Sequence, residues 1–176
     1  RHDGEWRDML ARAVPIRGPD GDLIEWVGTH TDITDQKRIA AELGHSNEQF
    51  RIIADNIPQF AWIADPNGDI DWYNQRWFDY TGTTLEEMRG HGWTKVHHPD
   101  HIERVREELA RRFAEGVKWE DSFPLRGADG QYRWFLSQAI PIRDERGTIT
   151  RWFGTNTDIT SQRAAEQELA AAKEVA

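Results

Sequence analysis

Four histidines fall close together, at His91, His97, His98 and His101. Imidazole nitrogen suits zinc, copper and iron, so this cluster is the nearest the sequence comes to a metal site. Pro99 divides it, however, and sits where a helix would begin. His97 and His101 are then not an i, i+4 pair on one helix, and the four are read as turn and capping residues. The carboxylates offer less. Glu120 and Asp121 are neighbours on an extended segment and face opposite sides. Glu86 and Glu87 read as solvated helix charge. The chain has no cysteine, which removes disulfides, thiolate metal sites, iron–sulfur clusters and thiol nucleophiles. It also has no glycine-rich phosphate loop, serine nucleophile elbow or kinase signature. No catalytic constellation emerges.

Charge narrows the partners. The 176 residues carry 31 acidic against 22 basic side chains, a formal charge of −9. Phosphate contacts need clustered positive charge, so nucleic acid is not an expected partner. An anionic membrane surface is not expected either. No apolar run approaches the ~20 residues of a bilayer span, and no signal peptide opens the sequence. Together with the missing cysteines this fits a reducing cytoplasm, with any membrane anchor of a parent protein lying elsewhere. Nine tryptophans is a high count for this length. They read first as bulk between a curved sheet and its helical cover, and second as the lining of an aromatic pocket.

Hydrophobic period and turn signals give the elements that must position these residues. Residues 9–17 and 23–31 form a hairpin across Gly18-Pro-Asp-Gly21. A helix starts at Thr34 or Asp35, both able to accept bonds from free first-turn amides. Ile39, Leu43, Ser46, Phe50, Ile53 and Ile57 recur along it at heptad-like spacing, and Pro58 ends it. Strands 60–63 and 70–74 flank the turn Asp65-Pro-Asn-Gly68. Short helices follow at 76–81 and 84–89, the second opened by Thr84 with Glu87 three residues on. A longer helix runs from about 100 to 115 and is closed by Gly116. Strands 117–126, 131–142 and 148–158 come next, then a helix over 161–175. Five strands in one antiparallel sheet with helices on one face make an α+β architecture.

One internal repeat organises the chain. Asp3 to Gln36 and Asp129 to Gln162 align without a gap at a constant offset of 126. Pro-Ile-Arg, Trp26/Trp152 and Thr-Asp-Ile-Thr coincide. Residues 1–34 are therefore expected to be the closing hairpin of a preceding domain, 35–57 a helical linker, 50–160 a complete second copy and 161–176 a further helix. An orphaned hairpin is marginal in water, so residues 1–34 are expected to pack on the second domain or on a partner chain, or to be poorly ordered.

The stretch IADPNGDIDWYNQRWFDYTG, the VHHPDH run before the long helix and the closing WFGTNTDIT carry a family resemblance. Residues 50–160 resemble a PAS domain with its C-terminal PAC motif, of the kind found in tandem in bacterial sensor histidine kinases. The resemblance implies a five-stranded antiparallel sheet around a small internal pocket. It implies sensing or dimerisation, coupled to an effector by the helix that leaves after Asp-Ile-Thr. By resemblance Asp32, Thr34, Asp158 and Thr160 occupy that coupling motif. A carboxylate and a hydroxyl at a strand-to-helix junction can bond the helix's free N–H groups. The expected partners are a second copy, joined through the helical linkers, and a downstream kinase or other effector domain in the same chain.

No cofactor is expected, although a small ligand is compatible with the resemblance. Related haem sensors carry their ligand on the long helix, where this sequence has Val105; His101, one turn earlier, is the substitute. Light-sensing flavin relatives use a cysteine that is absent here, which removes adduct chemistry and leaves non-covalent flavin as the alternative. The pocket positions, if one exists, are Trp72, Asn74, Trp77 and Phe78 at the end of the second strand, and Trp93 to one side. On the long strand they are Trp134, Leu136 and Gln138, or the complementary face, and on the last strand Trp152 and Asn156. Gln138 and Asn156 matter most, because a buried amide needs partners that a polar ligand would supply.

Overall fold

The computed structural model describes residues 4–174; Val175, expected to end the last helix, lies outside them, as do residues 1–3 and 176. The chain divides into two compact units, Arg1–Ile52 and Ile53–Ala176. No helix among the described residues is long and apolar enough to cross a membrane.

The first unit is an antiparallel hairpin of β1 (Met9–Arg17) and β2 (Leu23–Asp32), followed by α1 (Thr34–Asn56), whose last residues fall in the second unit. The turn closes where the Gly18 N–H donates to Asp22 O at 2.8 Å. Gly21 supplies the positive φ, 86°, that a side-chain-bearing residue would adopt only with strain. Every residue of both strands is exposed within this chain.

The second unit begins with β3 (Phe60–Ala64) and β4 (Ile70–Tyr73). Then come α2 (Gln75–Thr81), α3 (Leu85–Met88), a 3-10 turn at Gly92–Val96 and α4 (Pro99–Glu115). The strands β5 (Trp119–Arg126), β6 (Tyr132–Arg143) and β7 (Ile149–Asp158) lead into α5 (Thr160–Glu174). The five strands make one sheet in the order β4-β3-β7-β6-β5, each neighbouring pair antiparallel. The last strand therefore lies at the centre, hydrogen-bonded on both edges, and α5 departs directly from it.

Period-2 alternation separates the two sheet faces. Phe135, Ser137 and Ala139 of β6 and Trp152, Gly154 and Asn156 of β7 are all buried. The α4 residues Val105, Leu109 and Phe113, four apart on one helical face, belong to the same core. His98 caps α4 by accepting from the Asp100 N–H at 3.2 Å, and Gly116 ends it with φ 66°. The Thr84–Glu87 capping box forms in both directions. Gly154 has a packing role: a Cβ there would sit 2.1 Å from the Trp62 ring, which lies across it from the neighbouring strand.

Element ends differ from the sequence expectations by one or two residues, as fraying ends do. The 3-10 turn at Gly92–Val96 was not anticipated, because so short a segment has no hydrophobic period to read. The hairpins β1–β2 and β6–β7 share their register. Met9 pairs with Asp32 and Phe135 with Asp158, and the ladders slip at Ile16/Arg17 and at Ile142/Arg143.

Candidate functional site

An internal cavity of about 30 Å³ lies between the sheet and its helical cover. The sheet contributes Trp62, Tyr73, Ser137 and Asn156, with Trp119 and Phe123 from the edge strand β5. The cover contributes Trp77, Trp93 and His97, and the α4 face at Val105, Leu109 and Phe113. Space of this size holds one or two waters. It is far below the roughly 300–1,000 Å³ of pockets that enclose drug-sized ligands. His101, the substitute ligand considered for haem, does not line it; its ring packs edge-on against Trp134 at 5.4 Å. Among the described residues no cluster of three His, Cys, Asp or Glu side chains has metal-binding geometry.

The cavity wall has few polar atoms, and their pairing is incomplete. Asn156 Oδ1 accepts from Ser137 Oγ at 2.8 Å and from Trp62 Nε1 at 3.2 Å. His97 Nδ1 lies 3.0 Å from the Trp93 carbonyl, which only accepts, so Nδ1 carries the proton. Burial, opposed in part by that bond, pushes the His97 pKa down from 6.5 to about 4, so the ring is neutral at ordinary pH. Its Nε2 is then an acceptor, and it is buried without a partner. The indole N–H groups of Trp77 and Trp119 on the same wall are also buried and unpaired.

Of the residues expected at a pocket, Trp77, Trp93 and Asn156 line this cavity. The rest are placed otherwise. Trp134, Leu136 and Gln138 occupy the opposite face of β6, and the complementary set delivers Ser137 inward. Gln138 is not a buried amide in need of a ligand: it donates to Glu120 Oε2 at 2.6 Å on the outer side. Asn74 is fully buried but structurally engaged. Its Oδ1 accepts from the Ala61 N–H at 3.0 Å, and its Nδ2 donates to the carbonyls of Ala54 at 2.7 Å and Gln59 at 3.0 Å. Trp72 points away from Tyr73 by strand alternation. Phe78 packs edge-on against Tyr73 at 5.8 Å, at the rim of the core. Trp152 is buried behind the cavity, stacked on Phe113 with centroids 3.8 Å apart. Sequence reasoning missed Trp119 and His97 as lining residues, whereas Ser137 belongs to the complementary face of β6 that it had left open. Ser137 was legible in one respect, since the hairpin turn fixes its register opposite Asn156.

A second feature sits where β7 becomes α5. The Thr160 N–H donates to Asp158 Oδ1 at 2.9 Å, filling one of the orphan amide positions of the helix start. Thr160 Oγ1 accepts from the Trp134 N–H at 2.9 Å, and the Ile159 N–H donates to the Trp134 carbonyl at 2.8 Å. One turn into α5, the Arg163 guanidinium lies 3.8 Å from the Trp134 ring centroid, a cation–π contact. The first strand of the β6–β7 hairpin thus holds the helix through backbone and side chain together.

The first unit repeats this wiring. The Thr34 N–H donates to Asp32 Oδ1 at 3.0 Å, Thr34 Oγ1 accepts from the Asp8 N–H at 2.9 Å, and the Ile33 N–H bonds the Asp8 carbonyl at 2.9 Å. The bond from Thr34 holds the Asp32 carboxyl below the usual carboxylate range, with Arg7 adding to it. One difference stands out. Arg7 reaches Asp32 at 3.4 Å, whereas its counterpart Arg133 pairs with Asp129 and lies over the Tyr80 ring.

A family model described as PAS fold matches residues 70–156. A Sinorhizobium fredii protein called y4lL is 34% identical over 168 residues, which span 94% of this chain and 20% of that protein. The peroxide stress-activated histidine kinase mak1 of Schizosaccharomyces pombe is 31% identical over 184 residues, 96% of this chain and 11% of that kinase. The chain therefore spans a fifth or less of these curated relatives. The crystal structure of a PAS domain from Colwellia psychrerythraea superposes with a TM-score of 0.54 at 24% identity, covering 65% of this chain and 97% of that domain.

Proposed function

The chain carries a PAS domain, and from that premise we propose that it is a sensory and relay module within a longer signal-transduction protein, most simply a sensor histidine kinase. A PAS domain is itself non-catalytic, so phosphotransfer would belong to other regions of the parent. Residues 50–160 form the sensing unit in this reading. A change in the cavity or in dimer contacts shifts β7, and the shift reaches α5 through Asp158 and Thr160. The observation that carries the reading is the Thr160 hydroxyl, which closes on the Trp134 backbone while its own N–H is held by Asp158.

The remaining assignments rest on the repeat. Residues 1–34 are proposed to close a preceding PAS domain, because β1–β2 reproduces the register and junction bonds of β6–β7. Residues 35–57 are the linker and 161–176 the output helix. The exposed Ile39, Leu43, Phe50 and Ile53 of α1 suit a homodimer contact with the same helix of a second copy. A second reading, a dimerisation spacer that binds no ligand, is favoured by the small cavity volume.

The test is Asp158→Ala in the full-length parent. Output should become independent of input while the thermal unfolding profile is kept. Unchanged signalling in that variant would sink the proposal.

A further inference from the structure

The two copies of the strand-to-helix junction place their arginine differently. Arg7 and Arg133 correspond in the repeat, as do Asp32 and Asp158. The backbones share one register, with Met9 opposite Asp32 and Phe135 opposite Asp158, so each arginine lies two residues before the residue that faces the aspartate. In the first unit Asp32 uses both oxygens. Oδ1 accepts from the Thr34 N–H at 3.0 Å, and Oδ2 takes the Arg7 guanidinium at 3.4 Å. In the second unit Asp158 Oδ1 accepts from the Thr160 N–H at 2.9 Å, and among the described residues no cation pairs with its other oxygen. Arg133 is held instead by both oxygens of Asp129 and lies over the Tyr80 ring, 5.6 Å from its centroid.

Little separates the two positions. Arg133, Asp129, Asp158 and Tyr80 line one open surface hollow of about 390 Å³, so the guanidinium has room to cross. Burial pushes the Tyr80 phenol pKa up and Arg133 pulls it down, while the Asp158 and Asp129 charges both add to the rise, which places the two carboxylates around one ring. The side chains of the Arg133–Asp129 pair are 36% and 48% exposed, and ion pairs so exposed are worth little. Exchanging one such carboxylate for the other changes the free energy of the fold only slightly, which is the condition for two populated states. The consequences differ. On Asp129 the arginine ties β6 to the β5–β6 turn. On Asp158 it ties β6 to the start of α5, beside the bond from the Trp134 N–H to Thr160 Oγ1.

We propose that Arg133 is a two-position latch at the start of α5: it rests on Asp129 and Tyr80 as observed, and it moves to Asp158, the position that Arg7 takes in the first unit. Asp129 holds the latch open, and whatever draws Asp129 away closes it. The use of the latch in signalling rests on the sensory reading; the movement itself does not.

The test is a double-mutant cycle read at Asp158. The ¹³C signal of the Asp158 carboxyl is titrated with pH in wild type, Asp129→Asn, Arg133→Gln and the double variant. Asparagine keeps the acceptor that the Gln131 N–H uses, so the turn is retained. With Asp129 present, Arg133→Gln should move the Asp158 midpoint little. In the Asp129→Asn background it should raise the midpoint by about half a pH unit, or roughly threefold in proton affinity, the scale of an exposed ion pair. Amide exchange at Thr160 should slow by a similar factor in Asp129→Asn. Equal effects of Arg133→Gln in the two backgrounds would mean that the guanidinium stays where it is and would overturn the proposal. So would unchanged exchange at Thr160. In the full-length parent Asp129→Asn should shift the output. Coupling at Asp158 with the output untouched would instead sink the sensory reading and leave the latch standing.

Discussion

His97 gives the most quantitative prediction, because its burial makes folding stability depend on pH. The ring is neutral in the fold with its pKa pushed down to about 4, against an ordinary value of 6.5. Above pH 6.5 neither folded nor unfolded chain binds this proton, and His97 contributes no pH dependence. Below it the unfolded chain takes up the proton and the folded chain does not, so stability falls as pH falls. The loss levels off once the folded ring titrates near pH 4. Between pH 7.5 and 5.0 these two values give a loss of about 2 kcal/mol, at roughly 1.4 kcal/mol per pH unit once fully below 6.5. The assay is urea unfolding at half-unit pH steps in wild type and in His97→Phe. The variant loses the Trp93 carbonyl bond at every pH, a constant offset that does not alter the slope. The difference between the two curves should close by about 2 kcal/mol toward pH 5. Parallel curves would refute the claim that His97 is buried neutral, and with it the acceptor role of Nε2 in the cavity.

Three further predictions concern packing and polar bonds. Gly154→Ala forces a methyl into the Trp62 ring; overpacking of that kind should cost about 3 kcal/mol in urea unfolding, and a loss under 1 would show that Trp62 has room to turn away. Asn74→Ala removes a side chain that bonds Ala61, Ala54 and Gln59. Stability should drop by about 3 kcal/mol in urea unfolding; a loss under 1 would show that these backbone groups find other partners. Thr160→Val leaves the Trp134 N–H without its acceptor and should cost about 1 kcal/mol, checked by thermal unfolding and by helix content in circular dichroism.

The order of elements was legible because turn chemistry and caps mark it locally. Gly18-Pro-Asp-Gly21, the Thr84–Glu87 box and Gly116 all act where the sequence places them. The Asp-Ile-Thr junctions were located by resemblance, but only Asp32 and Asp158 take the helix-start amides; the Thr34 and Thr160 hydroxyls, expected to do the same, accept instead from the Asp8 and Trp134 N–H groups of the first hairpin strand. Faces were harder. Both alternations of β6 carry large apolar residues, Trp134 and Leu136 on one side and Phe135 on the other. Only the helical cover decides which side turns inward, and that choice depends on contacts far apart in sequence. The same holds for His97. It reads as a loop histidine before Pro99, yet a bridge to Leu125 on β5 and a ring contact with Phe123 at 4.5 Å draw it into the core. Asn74 illustrates the opposite case. It was expected at a possible pocket, but it instead satisfies backbone groups from segments no local pattern brings together.

The central claim is that Asp158 and Thr160 form a discrete link between the last strand and α5. Amide hydrogen exchange on the Asp158→Ala chain tests it most directly. The account predicts faster exchange at Thr160 and Arg163, whose N–H groups bond Asp158 and Ile159, with the amides of β3, β6 and β7 as protected as in wild type. Unchanged protection at Thr160 and Arg163, or equal loosening throughout the sheet, would contradict it.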